Sequence, residues 1–313
     1  MKKILILVLI LVVCFIFLKH EVSPMDSSSK TPIAIVVTSG DSVSNVATKL
    51  VNKQLIRNTL IFRIIAKKEG LEQKLQAGDF TLSRSMSLNE IISLLEKGPQ
   101  DIWVTIPEGK RADEIAQILQ AKLPQYNDTW KDKLENYEGY LFPDTYLFNK
   151  NATIDTIISE MTSNFDQKYS TLTFNTSLNK QQVVILASLV EREGKTDQDR
   201  PLIASVFMNR LKAGMALQVD ATVQYALGFD QQDNTWWKNN LSSSDLKFNS
   251  AYNTYLITGL PPGPICNPGL KALQAAANPA QSNYLFYLAD KNGVTHFAKT
   301  LKEQNANIKQ YGL

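Results

Sequence analysis

Two carboxylates two positions apart, Glu191 and Glu193, close a run that is apolar almost throughout, Gln181 to Val190. An apolar run of this kind predicts a buried helix, and Gly194 is its natural stop. On a helix Glu191 shares the face of Val184, Ala187 and Ser188, whereas Glu193 continues that of Leu186, Leu189 and Val190. The negative end of the helix dipole disfavours a charged carboxylate, and so does burial. A carboxyl group kept protonated in this way can donate its proton to a leaving-group oxygen. The competing reading is an ion pair with Arg192, Lys195 or Arg200. For Glu193 the ion pair is the better reading; for Glu191 the residues alone leave the two balanced.

The elements around this pair are expected to present further polar groups. A second helix begins near Pro201, with Asp199 as its cap, and stops at Gly214. Gln218 and Asp220 alternate with Leu217, Val219 and Ala221, which predicts an extended segment with both polar groups on one side. Trp236 and Trp237 lie in a polar stretch, 229–250. They could stack on sugar rings, but pinning the loop to the domain is the preferred reading. Asn253-Thr254-Tyr255 precedes the rigid segment Gly259-Leu260-Pro261-Pro262-Gly263-Pro264, which reads as a shaped wall. Asn267-Pro268-Gly269 then opens a helix over Leu270–Ala277. Strands are expected at Tyr284–Leu288 and at His296-Phe297. Glu138 to Tyr146 reads as a buried turn, with Glu138 and Asp144 as its polar exceptions. The region 120–180 is otherwise mixed.

Composition removes several chemistries. Of the formal charge of +3, two units come from Lys2 and Lys3, and no basic stripe alternates with aromatics. Nucleic acid is therefore not an expected partner. The only cysteines are Cys14 and Cys266, and the only histidines His20 and His296. That excludes a disulfide framework in the folded part and a zinc site built on Cys and His. No cofactor is expected, and a triad needing a histidine base would have to use His296.

At the start of the chain, Lys2-Lys3 precedes an apolar run from Ile4 to Leu18, closed by Lys19 and His20. As a helix this run is about 22 Å long, short for a bilayer core of about 30 Å unless the flanking lysines snorkel. No A-x-A-like cleavage site follows, so an uncleaved single-pass anchor over 1–20 is preferred to a signal peptide. The lysines place the N-terminus in the cytoplasm and the remainder outside. Residues 21–31 read as a flexible tether. A weak repeat follows. Ile35-Val36-Val37, Ser39-Gly40 and the helical positions Val43, Val46, Ala47 and Leu50 recur 69 positions on as Val104-Thr105-Ile106, Glu108-Gly109, Ala112, Ile115, Ala116 and Leu119. Between the two copies, Leu60–Lys68 and Leu88–Lys97 read as helices and Gly78–Leu82 as a strand. The segment 32–100 is expected to be a small α+β module, either a spacer or a LysM-like domain that holds glycan. Residues 101–313 form the larger domain.

From Glu138 onward the chain resembles the endolytic murein transglycosylases, the YceG-like group. The resemblance rests on EGYLFPDTY at 138–146, LASLVERE at 186–193, SVFMNRL at 205–211, LQVDATVQY at 217–225 and NTYLITGLPPGPICNPG at 253–269. The anchor and the LysM-like region fit the same architecture. The implied fold is α+β: a transmembrane helix, a small LysM-like α+β domain and a larger α+β catalytic domain. The implied catalytic residue is the first glutamate of the E-x-E pair, Glu191. Polar residues of the matching motifs are the expected substrate contacts: Glu138, Asp144, Ser188, Glu193, Asn209, Arg210, Gln218, Asp220, Thr222, Tyr225, Asn253 and Tyr255. The implied reaction cuts the bond between N-acetylmuramic acid and N-acetylglucosamine without water. One carboxyl group protonates the glycosidic oxygen, and its conjugate base then takes the proton of the muramic C6 hydroxyl, which closes on C1 as a 1,6-anhydro end. Penicillin-binding proteins and the elongation machinery are the implied partners. Alternatives are a hydrolytic muramidase using Glu191 and Asp220, or a non-catalytic glycan-binding scaffold. Two positions depart from the common pattern: Gly194 stands where many members have threonine, and Gln304 where Glu-His-Asn is commoner.

Overall fold

The computed structural model describes residues 2–99 and 101–312; Met1, Gln100 and Leu313, at the edges of the expected segments, lie outside the described residues. The protein is a mixed α+β chain of two compact units. The first comprises Met1–Trp103 with Leu147–Asn151, and the second Val104–Tyr146 with Ala152–Leu313.

In the first unit α1 runs Lys2–Val22. At 1.5 Å per residue its 21 residues span about 31 Å. The helix continues past the apolar run through Lys19–Val22, so Lys19, His20 and Glu21 flank the apolar turns. Its stretch Ile4–Val22 is long and apolar enough to cross a membrane. β1 (Ile33–Val37) pairs antiparallel with β2 (Gly78–Leu82), in register from Ile33 opposite Leu82 to Val37 opposite Gly78. Between them lie α2 (Val43–Asn52), α3 (Thr59–Lys68) and the short α4 (Leu71–Lys74); α5 (Leu88–Lys97) follows. Side chains cap these helices: Ser42 accepts from Asn45 N, Asn58 from Leu60 N, and Ser87 and Glu90 form a capping box. Val46, Ala47, Leu50, Phe62, Ala66, Phe80, Leu82, Ile91 and Leu95 form the core. The stretch 21–31 is bonded to this unit. Arg57 donates to the carbonyls of Ser23 and Pro24, Asp26 N to Arg84 O, and Ser85 N to Ser29 O.

β3 (Asp101–Thr105) pairs with β4 (Thr145–Asn149), and the boundary between the units falls within both strands. The second unit holds α6 (Ala112–Lys122), α7 (Thr129–Glu135), α8 (Ile154–Ser170), α9 (Lys180–Glu193), α10 (Arg200–Lys212), α11 (Asp220–Leu227), α12 (Leu270–Ala277), the antiparallel pair β5 (Phe286–Ala289) and β6 (Thr295–Ala298), and α13 (Leu301–Tyr311). α9 is its central helix, opened by a capping box between Asn179 and Gln182 and buried from Val183 to Val190. It packs against α10, α11 and α12. Each Leu or Val buried there contributes about 1.5–3 kcal/mol of transfer free energy.

Two expectations about elements are corrected. The extended segment stops at Val219; Asp220 opens α11, where an acidic side chain meets the positive end of the dipole. Asp199 precedes α10 but does not cap it, because its Oδ2 is taken by the hydroxyls of Thr196 and Thr295.

Candidate active site

Residues two apart on a helix are turned about 200° from one another, so the two glutamates ending α9 face different surroundings. Glu191 accepts from Gly269 N at 2.9 Å and from Arg200 Nη2 at 3.2 Å. Its side chain is only 6% exposed. A Cβ on Gly109 would lie 3.5 Å from Glu191 Cγ, an ordinary contact distance. Gly194 makes room for Arg200, since a Cβ there would fall 2.5 Å from Arg200 Cγ. The departure from threonine at 194 therefore leaves space for the arginine that pairs with Glu191.

Glu193 faces a separate cavity of about 210 Å³, lined by Glu193, Arg210, Leu217, Gln218, Asp220, Tyr255 and Tyr287. That is roughly seven water volumes at about 30 Å³ each. Tyr287 Oη donates to Glu193 Oε2 at 2.9 Å. Burial pushes the Glu193 carboxyl above its ordinary value, and the charge of Asp220 adds to this; Tyr287, Arg192 and Lys195 act against it. The Tyr287 hydroxyl is itself pushed well up by burial and by Glu193, which keeps it a donor. Opposite, Tyr255 Oη donates to Asp220 Oδ1 at 2.5 Å, and burial followed by that bond raises Tyr255. Arg210 holds the floor. Its Nε donates to Leu285 O at 2.7 Å and its Nη1 to Leu217 O at 2.8 Å. Thus Glu193, Arg210, Gln218, Asp220 and Tyr255, distant in sequence, come together at one hollow.

The other expected contacts are not part of its lining. Ser188, fully buried, donates to Ile185 O and accepts from Ile265 N, tying α9 to the Pro/Gly segment. Thr222 bonds Val219 O and Thr254 Oγ1. Asn253 donates to Leu246 O and Phe248 O, and Asn209 to Ser282 O and Tyr284 O. Tyr225 packs at a tilt against Tyr252, under the Arg111 guanidinium. Asp144 accepts from Asn164 Nδ2. Glu138 is buried and receives Ala112 N and Asn267 Nδ2. These groups build the frame, because polar residues in a dense Pro/Gly fold satisfy buried backbone groups first. Trp237 is pinned in the same way: its Nε1 donates to Glu114 Oε2, and Arg192 stacks on its ring at 3.7 Å. Among the described residues, no three His, Cys, Asp or Glu side chains gather as a metal site would require.

Two residues escaped the sequence reading. Tyr287 reads only as part of a strand, because Tyr284–Leu288 is aromatic or aliphatic throughout and no alternation singles it out. Glu108 was seen only as half of a glycine turn. In the structure it lies against Gly269, whose added Cβ would fall 1.9 Å from Glu108 Oε1. Burial raises the Glu108 carboxyl, and the charge of Glu191 raises it further.

A family model described as the YceG-like family matches residues 35–310. A protein of Bacillus subtilis named endolytic murein transglycosylase is 34% identical over 330 residues, covering 95% of this chain and 89% of that protein. A protein of the same name from Streptococcus pneumoniae is 31% identical over 333 residues, covering 92% of this chain but 60% of its own length. The crystal structure of a yceG-like protein from Listeria monocytogenes is similar at a TM-score of 0.56 and 32% identity, covering 89% of this chain and 99% of that one. By the match along nearly its whole length, the chain belongs to the YceG-like family.

Proposed function

We propose that the protein is a lytic transglycosylase acting within peptidoglycan glycan strands, and that Glu193, not Glu191, is its single acid and base. The observation that carries this assignment is the Glu193 carboxyl at the cavity wall, held toward its protonated form by burial and by Asp220. That state is the one needed to protonate a glycosidic oxygen. Glu191, by contrast, spends both oxygens as acceptors, one on Gly269 N–H and one on a guanidinium. Once Glu193 has given up its proton, its carboxylate takes the C6 hydroxyl proton as that oxygen closes on C1. No water enters the products, and each cut leaves a 1,6-anhydro end. The names of the bacillus and pneumococcal relatives support the reaction class.

The second reading keeps Glu191 as the acid. Its support is the neighbouring Glu108, which gives that side of α9 a carboxyl pair. Matched Gln substitutions separate the two. Glu193→Gln is expected to lose about 10²–10⁴-fold in glycan cleavage, the usual worth of general acid–base help, with Glu191→Gln losing less. The reverse order would return the role to Glu191. Wild-type rates in both would place the chemistry on another residue, and wild type that leaves the strands intact would favour the scaffold reading. Digestion in heavy-oxygen water checks the reaction type, since label at the new reducing ends would establish hydrolysis, the muramidase alternative.

The rest of the molecule fits work at a membrane. α1 serves as a retained single-pass anchor, with the catalytic unit outside. The order strand, helices, strand in the first unit supports a LysM-like reading, and a hollow of about 480 Å³ bordered by Asp41, Ser42, Ser44, Arg63 and Glu72 is its candidate glycan groove. Penicillin-binding proteins and the elongation machinery belong to the same reading as partners, because nascent strands are found where they are made.

A further inference from the structure

Gln218 has a backbone conformation that its residue type does not favour. Its φ is +52°, in the left-handed region where a Cβ crowds the chain. Among the described residues two other non-glycines share this feature, and both have an ordinary reason. Gln54, at +55°, follows the end of α2, where helices commonly finish left-handed. Asn234, at +50°, is of a type that tolerates the region and sits in the turn closed by Asp230 and Thr235. Gln218 ends no helix; α11 begins after it, at Asp220.

The chain on either side of Gln218 is clamped. Arg210 Nη1 holds Leu217 O at 2.8 Å, Gln218 N donates to Thr254 O at 3.0 Å, and Val219 N donates to Thr254 Oγ1 at 2.9 Å. Thr254 is fully buried and braced by Thr222 Oγ1 at 2.9 Å. Strain persists where surroundings over-determine it, and such places cluster at working sites. Glycine would adopt this conformation without strain. The glutamine side chain that stands there instead is exposed at the wall of the cavity holding Glu193, Asp220 and Tyr255. The neighbouring groups are engaged: Tyr287 with Glu193, Tyr255 with Asp220, and Arg210 with backbone carbonyls. Among the described residues the Gln218 amide has no hydrogen-bond partner. It therefore offers both a donor and an acceptor to whatever enters.

We propose that Gln218 is a substrate-contact residue, its amide aimed by the left-handed backbone at an acetamido or hydroxyl group of the hexosamine bound beside Glu193. The proposal rests on the transglycosylase reading above. The test uses the full chain in detergent, uncross-linked glycan strands as substrate, and thermal unfolding of each variant. Gln218→Gly is expected to unfold at or above the wild-type temperature while its kcat/KM falls about two- to tenfold, the size of one lost hydrogen bond. Gln218→Asn, which keeps an amide and tolerates the conformation, is expected to recover part of that loss. A Gln218→Gly variant that cuts strands at the wild-type rate would overturn the proposal, and so would one whose lost activity only tracks a lowered unfolding temperature. Failure of the underlying reading looks different: wild type itself would leave the strands intact, or Glu193→Gln would cut them normally.

Discussion

At the scale of single residues, the half-turn between Glu191 and Glu193 decides which carboxyl meets the cavity and which meets Arg200. Under the proposed assignment, the pH dependence of cleavage follows from the charges facing Glu193. Burial and Asp220 push it up; Tyr287, Arg192 and Lys195 pull it down, and Arg210 and Tyr255 line the same cavity. A general acid works while protonated, so cleavage is expected to fall on the alkaline side as Glu193 loses its proton. Asp220→Asn removes a charge that favours the protonated form. The alkaline limb of its kcat/KM profile should therefore move to lower pH, whereas a change confined to packing would lower the rate without moving the limb. The apolar run before the pair was plain in the sequence, and so was the buried helix it predicts. Which glutamate faces the cavity was not, because periodicity sets the angle between two side chains and says nothing of what stands opposite each. Those partners, Gly269, Arg200, Asp220 and Tyr287, come from four other parts of the chain.

At the scale of elements, Glu138 and Asn267 join pieces that are remote in sequence. Asn267 Nδ2 donates to Glu138 and to Lys110 O, its Oδ1 accepts Leu141 N, and Glu138 also receives Ala112 N at the start of α6. Burial of Glu138 raises its carboxyl from an ordinary 4.5 to about 8, despite the Ala112 bond and the nearby Arg111, which act the other way. A folded-state value above the unfolded one means that the native protein binds the extra proton. The stabilisation is thus fully present below about 4.5 and is lost as pH rises through about 8. Denaturant unfolding at several pH values should show stability declining across that window. Glu138→Gln, which keeps the shape and cannot ionise, should flatten the decline; an equal slope in both proteins would assign it to other groups. Helices with one apolar stripe and a clear stop, such as Leu88–Lys97 and Leu270–Ala277, match their sequence expectations residue for residue. α8 went unrecognised although Ile154, Ile157, Ile158, Met161 and Phe165 carry the helical spacing. Its polar residues between those positions made the region look mixed. The Asp220 segment failed for another reason: a brief alternation of polar and apolar residues fits the entry to a helix as well as a strand.

At the scale of the whole molecule, the question is whether α1 stays attached. Its 21 residues span about 31 Å, of which the apolar run makes about 22 Å, and the lysines at both ends can snorkel toward the surfaces of a bilayer core of about 30 Å. A signal peptidase needs a small-residue site in accessible chain just beyond the apolar run. The residues there are Lys19, His20, Glu21, Val22, Ser23 and Pro24, and the helix continues to Val22. Beyond it, Arg57 grips the carbonyls of Ser23 and Pro24 at 2.6 and 2.8 Å, and Asp26 N bonds Arg84 O. The chain leaving the helix is therefore committed to the first unit, which leaves little extended backbone for a protease. Intact-mass measurement of protein extracted from membranes should find the N-terminal residues through Leu18 present. A mature form starting near residue 20 would show that the helix is a signal sequence, and would free the enzyme from the surface on which the proposed activity places it.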